Sequence, residues 1–227
     1  MDFNEGAFIQ IDKPLTWTSF QVVKKIRYLT KAKKVGHAGT LDPLASGLLI
    51  ICTGKFTKKI DQYQAQDKTY TGTFKIGVRT ASFDAETPEE DEHDISKITN
   101  QEVENVAKSF VGESQQIPPI YSALKVGGKR AYALARAGEE VVMKPRTVNI
   151  NEFKITRIAL PEVDFEISCT KGTYIRSIAR DFGKKLGVGA YLSALRRTKI
   201  GEYSVSDAKS IEEFENFIHS LKDESNS

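Results

Sequence analysis

Cysteine, histidine and long apolar runs are all scarce in this chain of 227 residues, and each scarcity excludes a class of protein. Its two cysteines are too few for a disulfide scaffold or a zinc framework, and they fit a reducing compartment. The three histidines, His37, His93 and His219, form no ligand spacing with cysteine or carboxylate residues, so we expect no metal. The longest uncharged apolar stretch, 44–53, is far shorter than the roughly 20 residues that span a bilayer. We therefore expect a cytoplasmic globular protein without a membrane segment.

Length and composition are those of an ordinary globular protein. At roughly 100–200 residues per domain, the chain length suggests one large domain or two small ones. Apolar residues make up 40% and charged residues 28%, so a core can form without disulfide or metal. No internal repeat and no linker rich in proline and serine divides the chain. We therefore predict a single domain over 1–227, in which 201–227 forms a C-terminal helical extension.

Charged residues are unevenly distributed, although the net charge is only +3. Residues 1–83 carry a net charge of +7 and residues 114–200 a net charge of +9. Residues 84–113 carry −8 and residues 201–227 carry −5. If the fold brings the basic blocks together, they form a cationic face for a polyanion such as nucleic acid. The alternative is an ordinary solvated surface. The acidic run 84–94 is predicted to be a solvated loop that faces away from such a ligand.

Strand and helix patterns are mixed without the regular alternation of a doubly wound sheet. The predicted strands are 8–11, 48–52, 69–76 and 163–169. The predicted helices begin at capping boxes Thr18–Gln21, Thr99–Glu102 and Ser210–Glu213, and another runs from Ile175 to Leu186. Gly112 and Gly187 are predicted to end two of them. This mixture favours an α+β architecture.

One segment combines glycine, histidine and aspartate in a pattern typical of a functional loop. Gly36–Gly47 is predicted to be a loop that leads into the buried strand, with His37 and Asp42 between its glycines. Asp42 precedes Pro43, which favours an extended backbone and would hold the carboxylate rigidly beside that strand. The alternative is an aspartate that caps a turn, next to a histidine in a basic loop.

Several segments, taken in chain order, form a set. They are 11–14 (IDKP), 36–47 (GHAGTLDPLASG), 67–70 (DKTY), 118–125 (PPIYSALK), 169–176 (CTKGTYIR), 189–192 (GAYL) and 195–197 (LRR). This set resembles the signature motifs of the TruB family of tRNA pseudouridine synthases, which act on the T-loop uridine at tRNA position 55. The resemblance spans about residues 6 to 203. It implies an α+β pseudouridine synthase fold, with a mixed, mainly antiparallel sheet, flanking helices and a central RNA-binding cleft.

The resemblance also implies roles for the residues that match the motifs. Asp42 would be the catalytic carboxylate, Tyr70 the ring stacked on the target base, and Arg176 the ion-pair partner of Asp42. Further residues would bind the RNA or line its pocket, namely His37, Tyr174, Leu195, Lys13, Lys129 and Arg130. Among these, His37 would support the RNA loop around the extruded base, and Leu195 would form an apolar wall. Lys13 would lie near the active site with a packing role more than a chemical one.

The implied chemistry agrees with these residue types. Pseudouridine formation breaks the N1–C1′ bond, turns the uracil and joins C5 to C1′, so no cofactor or metal is required. One carboxylate suffices if water is excluded. Asp42 must be ionised either to attack the sugar or to take its C2′ proton, and the sequence leaves both routes open. A nearby Arg176 would favour the charged form. Tyr70 could also help to remove the C5 proton, although its ordinary pKa of about 10 argues against that role.

The expected partner is the T-stem-loop of tRNA, bound by a monomer. The target base must leave its stack, which costs a few kcal/mol and less in a loop than in a duplex. The segment 127–143, which carries Lys129 and Arg130, is either a flap that orders on RNA or an ordinary surface helix over 129–137. Many relatives continue into a small RNA-binding domain of the PUA type, which we expect to be absent here.

Two other functions remain open at this point. A non-catalytic RNA-binding or chaperone protein could keep the same fold. A nucleosidase would release free uracil, but it normally needs a water-activating base, which the sequence does not offer. The combination of Asp42, Tyr70 and Arg176 favours the synthase over both.

Overall fold

The computed structural model describes residues 2–122, 124–139 and 141–224, with the backbone alone for 222–224. The chain forms two compact units. The terminal unit comprises Met1–Tyr70 and Leu195–Ser227, and the inserted unit comprises Thr71–Ala194. The predicted single domain over 1–227 stays a prediction. No helix in the described ranges is long and apolar enough to cross a membrane.

Thirteen strands lie in the described residues. They are β1 (Phe8–Lys13), β2 (Val35–His37), β3 (Ala45–Thr53), β4 (Lys68–Ile76), β5 (Arg79–Thr80), β6 (Glu89–Glu90), β7 (Gly112–Gln116), β8 (Lys125–Val126), β9 (Lys129–Arg130), β10 (Arg146–Ala159), β11 (Glu162–Cys169), β12 (Ala190–Ile200) and β13 (Tyr203–Ser204).

Six α-helices accompany these strands in the same ranges. They are α1 (Ser19–Thr30), α2 (Ile60–Ala65), α3 (Asn100–Lys108), α4 (Ala131–Arg136), α5 (Ile175–Leu186) and α6 (Ile211–Glu224). Short 3₁₀ helices occupy Gly54–Lys59 and Val205–Asp207.

The terminal unit is built around β3. Strands β1 and β2 pair with it antiparallel, and the end of β12 pairs with it parallel, with Leu195 opposite Ala45. Strand β3 is almost entirely buried, as its continuous apolar sequence predicts. Helices α1 and α6 cover one face of this sheet. The core on that face contains Phe3, Ile9, Ile11, Val22, Val23, Ile26, Leu29, Leu49, Ile51, Phe214 and Ile218.

The inserted unit has a core rich in phenylalanine. Strand β10 pairs antiparallel with both β7 and β11, and the sheet order there is β12-β4-β11-β10-β7. Helices α3 and α5 pack on each other, and α3 also packs on β10. The rings in mutual contact are Phe74, Phe110, Phe153, Phe165 and Phe182. Antiparallel pairs predominate within both units, so the predicted mixed, mainly antiparallel sheet with flanking helices is confirmed.

Local sequence patterns predicted the helix ends well. The capping boxes of α1 and α3 are both present, with reciprocal bonds between Thr18 and Gln21 and between Thr99 and Glu102. Ser210 and Glu213 make the same exchange at the start of α6. Helix α5 ends as predicted, with Gly187 in the left-handed conformation.

Other predictions need correction. The segment Gly36–Gly47 is not wholly a loop, because Gly36 and His37 pair with the end of β3 and β3 itself begins at Ala45. Gly112 does not end α3, which stops at Lys108; it opens β7 instead. Asp84 is buried and not solvated. Its carboxylate accepts a hydrogen bond from the Ser82 hydroxyl at 2.6 Å, which compensates for lost hydration.

Several strands and one helix were not predicted. Among them, β10 and β12 were missed because charged and polar residues interrupt their apolar patterns. In the segment 127–143, β9 precedes α4, which is shorter than the surface helix considered for 129–137. The alternative of a flap that orders on RNA stays a prediction. Ala123 and Glu140, which belong to the quoted motif and to this segment, lie outside the described residues.

A glycine in β3 allows a close approach of the β12 backbone in the terminal unit. Gly47 has φ +103, and a Cβ there would overlap the backbone carbonyl of Arg197 on β12. Gly112 has φ +104, but a Cβ there would meet nothing within 4 Å. A non-glycine residue would therefore have a strained backbone at both positions, and only at Gly47 would its Cβ also clash with a neighbouring strand.

We predict that Gly47→Ala lowers the free energy of unfolding clearly more than Gly112→Ala does. Gly112→Ala should cost about 1–3 kcal/mol, which is the strain of a non-glycine residue at positive φ. Gly47→Ala should add about 1–3 kcal/mol more, because β3 and β12 must separate. Urea titration of both variants measures the difference. Equal losses would show that the approach of Arg197 to β3 does not limit this position.

Candidate active site

The loop that carries Asp42 is fixed at several points in the terminal unit. It joins β2 to β3, and Ala45 N–H donates to the Asp42 carbonyl at 3.1 Å. Ser19, the first residue of α1, accepts from Leu41 N–H at 2.9 Å and donates to Leu41 O at 3.1 Å. Thr16 N–H donates to Pro43 O at 2.8 Å. The half-buried Asp42 therefore sits on a backbone that cannot easily move, which suits a catalytic carboxylate.

Lys13, at the end of β1, is fully buried beside this loop. Its Nζ donates to Pro14 O at 2.9 Å and to Trp17 O at 2.6 Å. Burial lowers the pKa of Lys13 to about 8, while the Asp42 carboxylate raises it and the Arg197 guanidinium lowers it further. The attraction is mutual, so the Lys13 ammonium also stabilises the Asp42 carboxylate. Lys13 thus combines the predicted packing role with a charge interaction.

Arg197, on β12, connects strand β3, the loop that carries Asp42 and the side chain of Tyr70. It is 1% exposed, and its guanidinium donates to Leu48 O at 2.8 Å and to Gly39 O at 3.1 Å. Its guanidinium also hydrogen-bonds with the Tyr70 side chain. Burial lowers the pKa of Arg197, and the bond with Tyr70 raises it. One buried side chain therefore fixes β3, the Asp42 loop and the phenol of Tyr70.

We call Lys13, His37, Asp42, Tyr70 and Arg197 the Asp42 cluster. His37, at the end of β2, has a pKa lowered by burial and by Arg197, although a bond with the Gly39 backbone raises it. Its imidazole is therefore neutral near pH 7. The buried Nδ1 of His37 accepts or donates no hydrogen bond within the described residues. Leu195 is half-buried and pairs with Ala45, and Ala45 follows Asp42 by three positions.

Arg197 was quoted as part of a motif but was not predicted as a site residue. The sequence did not indicate it, because β12 was not predicted as a strand. Once β12 is known, the adjacency of Arg196 and Arg197 places their side chains on opposite faces of it. Arg196 is 40% exposed and forms an ion pair with Asp12, at 2.6 Å between Nη2 and Oδ2. The other arginine faces the interior.

Arg176 and Tyr174 lie in the inserted unit, at the start of α5. The Arg176 guanidinium is buried, donates to Tyr121 O at 2.9 Å and to Ser82 O at 3.3 Å, and lies 3.5 Å from an Asp84 carboxylate oxygen. The buried Asp84 is a second residue that the sequence did not indicate as part of a site. The predicted pairing of Arg176 with Asp42, which belongs to the terminal unit, stays a prediction.

The remaining predicted residues of the inserted unit are more exposed. Gln116 and Tyr174 exchange two hydrogen bonds, from Tyr174 N–H to the amide oxygen at 2.8 Å and from the amide nitrogen to Tyr174 O at 3.1 Å. Lys129 and Arg130 form β9 on the surface. In the described ranges, no group of three or more His, Cys, Asp or Glu side chains is placed to hold a metal ion.

We predict that the pH dependence of stability reports on Lys13. Its pKa is lower in the folded state, at about 8, than in the unfolded chain, at 10.5. The unfolded state therefore binds more protons between these values, and the free energy of unfolding should rise with pH across that window. The rise should be at most about 3.5 kcal/mol.

The measurement compares wild type with Lys13→Met by urea unfolding between pH 7 and 10.5. The free energy of unfolding of wild type should rise with pH relative to that of Lys13→Met, since methionine cannot titrate. Lys24→Met, at an exposed position of α1, is the matched control and should give a constant difference. A constant difference for Lys13→Met as well would contradict the prediction.

We also predict that Arg197→Lys lowers the free energy of unfolding by about 3 kcal/mol, because an ammonium cannot reach all three acceptors that the guanidinium serves. The neighbouring substitution Arg196→Lys should cost less than about 1 kcal/mol, since it weakens only a partly exposed ion pair. Denaturant unfolding of both variants checks this. Equal costs would exclude Arg197 as the main support of the cluster.

Comparison with family models supplies an independent result. The model described as "TruB family pseudouridylate synthase (N terminal domain)" matches residues 27–175. The model described as "tRNA pseudouridylate synthase B C-terminal domain" matches residues 176–227. Together they cover all the predicted site residues except Lys13.

Two curated relatives match nearly the whole chain. The "tRNA pseudouridine synthase B" of Flavobacterium johnsoniae is 53% identical over 221 residues, which cover 94% of this chain and 96% of the relative. The protein of the same name from Parabacteroides distasonis is 50% identical over 224 residues, which cover 96% and 95%.

Solved structures show a similar fold in longer proteins. A chain of a Cbf5-Nop10-Gar1 complex superposes with a TM-score of 0.75 at 27% identity over 99% of this chain. A chain of an H/ACA RNP bound to a substrate RNA containing 2′-deoxyuridine gives 0.74 at 25% identity. The present chain spans 58% and 57% of the length of those chains.

Proposed function

The chain belongs to the TruB family of pseudouridine synthases, and on that premise we propose that it isomerises the T-loop uridine at position 55 of tRNA. The resemblance noted in the motifs, the pseudouridine synthase fold and the assignment as an enzyme are thereby confirmed. The tRNA substrate, the position of the uridine and the roles of individual residues belong to the proposal.

The observation that carries the proposal is the Asp42 cluster. A single carboxylate lies on a fixed loop next to a buried ammonium, and a tyrosine ring is held nearby by a buried guanidinium. Cleavage of the N1–C1′ bond needs an anionic Asp42, whether it attacks C1′ or takes the C2′ proton. The Lys13 ammonium stabilises that anion by its positive charge, and its buried Nζ also donates hydrogen bonds to the carbonyls of Pro14 and Trp17.

In the proposed reaction, Tyr70 acts on the uracil. Its side chain is 9% exposed, and its phenol bonds with Arg197, so the ring cannot rotate away. In the proposed reaction it stacks on the base while the uracil turns. After C5 bonds to C1′, the proton on C5 must leave and N1 must gain one. If Tyr70 carries out both transfers, its phenol first gives its proton to N1 and the resulting phenolate then takes the C5 proton, so that Tyr70 ends neutral. The Arg197 guanidinium, which bonds with this phenol, would stabilise the phenolate between the two transfers.

The other predicted residues complete this scheme. Arg176 would be the ion-pair partner of Asp42, and its hydrogen bonds to the Ser82 and Tyr121 carbonyls, which fix its guanidinium, support that positioning role. A neutral His37 would pack against RNA bases better than it would bind phosphate. Leu195 would exclude water beside Asp42, which keeps the freed uracil from being replaced by a hydroxyl. We place the reaction in the cytoplasm, where a buried free thiol such as that of Cys52 is stable.

We predict that Asp42→Asn abolishes pseudouridine formation, with a fall in kcat of at least about a thousandfold, because the reacting carboxylate is lost. The assay maps pseudouridine in a T-stem-loop RNA treated with wild type or variant. Asp61→Asn, an exposed aspartate in α2, is the matched control and should keep the wild-type rate.

Three outcomes would contradict the proposal. Pseudouridine made by Asp42→Asn at the wild-type rate would remove the carboxylate from the mechanism. Free uracil among the products would indicate a nucleosidase. Tight binding of the T-stem-loop and of whole tRNA by wild type, with no pseudouridine in either, would indicate a binding protein.

Replacement of the modified loop uridine by cytidine should end the reaction rather than move it to another uridine.

A further inference from the structure

Helix α1 presents two large aromatic rings on the side opposite to its buried face. Phe20 is 62% exposed and Tyr28 is 67% exposed, whereas Val22, Ile26 and Leu29 are buried against the core. The two rings are eight residues apart, so they lie on one face about two turns apart, roughly 12 Å along the axis. Isolated exposed apolar residues are common, but two aligned rings on one helix suggest a binding surface.

Basic side chains alternate with these rings. Lys24 Nζ lies 4.8 Å from the centre of the Phe20 ring, and Lys31 Nζ lies 4.2 Å from that of Tyr28. Arg27 projects from the same face, because it is three residues from Lys24 and four from Lys31. We call Phe20, Lys24, Arg27, Tyr28 and Lys31 the basic aromatic stripe.

The sequence that contains the stripe carries charge of one sign. Residues 13–41 include seven lysines and arginines and no aspartate or glutamate. Within the described ranges, Lys24, Arg27 and Lys31 form no ion pair with a carboxylate, whereas Lys25 pairs with Glu215 of α6 at 2.7 Å. The lysine that faces the protein is therefore neutralised, and those on the stripe are available to an external anion.

The stripe begins next to the catalytic loop. Ser19, which immediately precedes Phe20, holds Leu41 through both hydrogen bonds of its hydroxyl, and Leu41 immediately precedes Asp42. A strand of RNA whose uridine reaches Asp42 therefore has its neighbouring nucleotides close to the start of α1. The remaining stripe residues lead away from the site along the helix.

We propose that the basic aromatic stripe is a docking surface for the RNA nucleotides that flank the reacting uridine. Phe20 and Tyr28 stack on unpaired bases, and Lys24, Arg27 and Lys31 contact phosphates. Stacking on aromatic rings tolerates any base, and basic groups neutralise the backbone, so this surface adds affinity without reading sequence. The inference rests on the function proposed above, because it takes the RNA bound at Asp42 as the occupant.

The test measures the dissociation constant for a T-stem-loop RNA at several salt concentrations. All proteins carry Asp42→Asn, so that the RNA is not altered during binding. The first variant is Phe20→Ala with Tyr28→Ala, and the second is Lys24→Gln with Lys31→Gln. The control, Lys97→Gln with Lys108→Gln, makes the same charge change at exposed lysines of the inserted unit.

The aromatic variant should weaken binding about tenfold or more, with the slope of log K against log salt unchanged. The lysine variant should reduce the magnitude of that slope by about 1.5, because two phosphate contacts are lost. The control should change neither quantity. Phe20→Tyr with Tyr28→Phe should keep wild-type affinity, which would separate stacking from damage to the helix.

Unchanged affinity in the aromatic variant would overturn the inference, and so would an equal slope change in the control. A change in sedimentation with unchanged RNA binding would identify the stripe as a protein interface, which also overturns it. Failure of the proposed function has a different signature, namely no pseudouridine from the protein with Asp42 intact, whatever the binding data show.

Discussion

The buried guanidinium of Arg197 is the interaction on which the site depends. It donates to the carbonyls of Gly39 and Leu48 and holds the phenol of Tyr70. An arginine with 1% exposure is costly unless its donors are satisfied, and here three parts of the terminal unit satisfy them. The absence of a side chain at Gly47 lets its strand approach closely enough for these bonds to form.

Charge in the site follows from the same arrangement. Two buried cations, Lys13 and Arg197, lie in the Asp42 cluster: burial lowers the pKa of Lys13, the Asp42 carboxylate raises it, and the Arg197 guanidinium lowers it further. Each of these cations donates two hydrogen bonds to backbone carbonyls. In the proposed reaction, the positive charge that they hold beside Asp42 would favour the anionic carboxylate that the isomerisation requires.

Helix α1 connects the Asp42 loop with the surface proposed to bind RNA. Its first residue, Ser19, fixes the backbone beside Asp42, and its buried face forms the core with α6. Its outer face carries rings, and cations that form no ion pair with a carboxylate among the described residues. In the proposed function, one capped helix therefore both supports the reacting carboxylate and offers a surface for a polyanion.

The sequence by itself determined the features that depend on near neighbours. These are the capping boxes at Thr18 and Thr99, the alternation of β11, the glycine-rich loop with Asp42, and the family motifs. Only the tertiary structure decided that Arg197 is buried, that Asp84 is not solvated and that β10 and β12 are strands. Arg197 finds its acceptors 149 and 158 positions away, so no local pattern could indicate them. Whether a charged residue faces water or the core depends on such distant partners, because only they can repay the loss of its hydration.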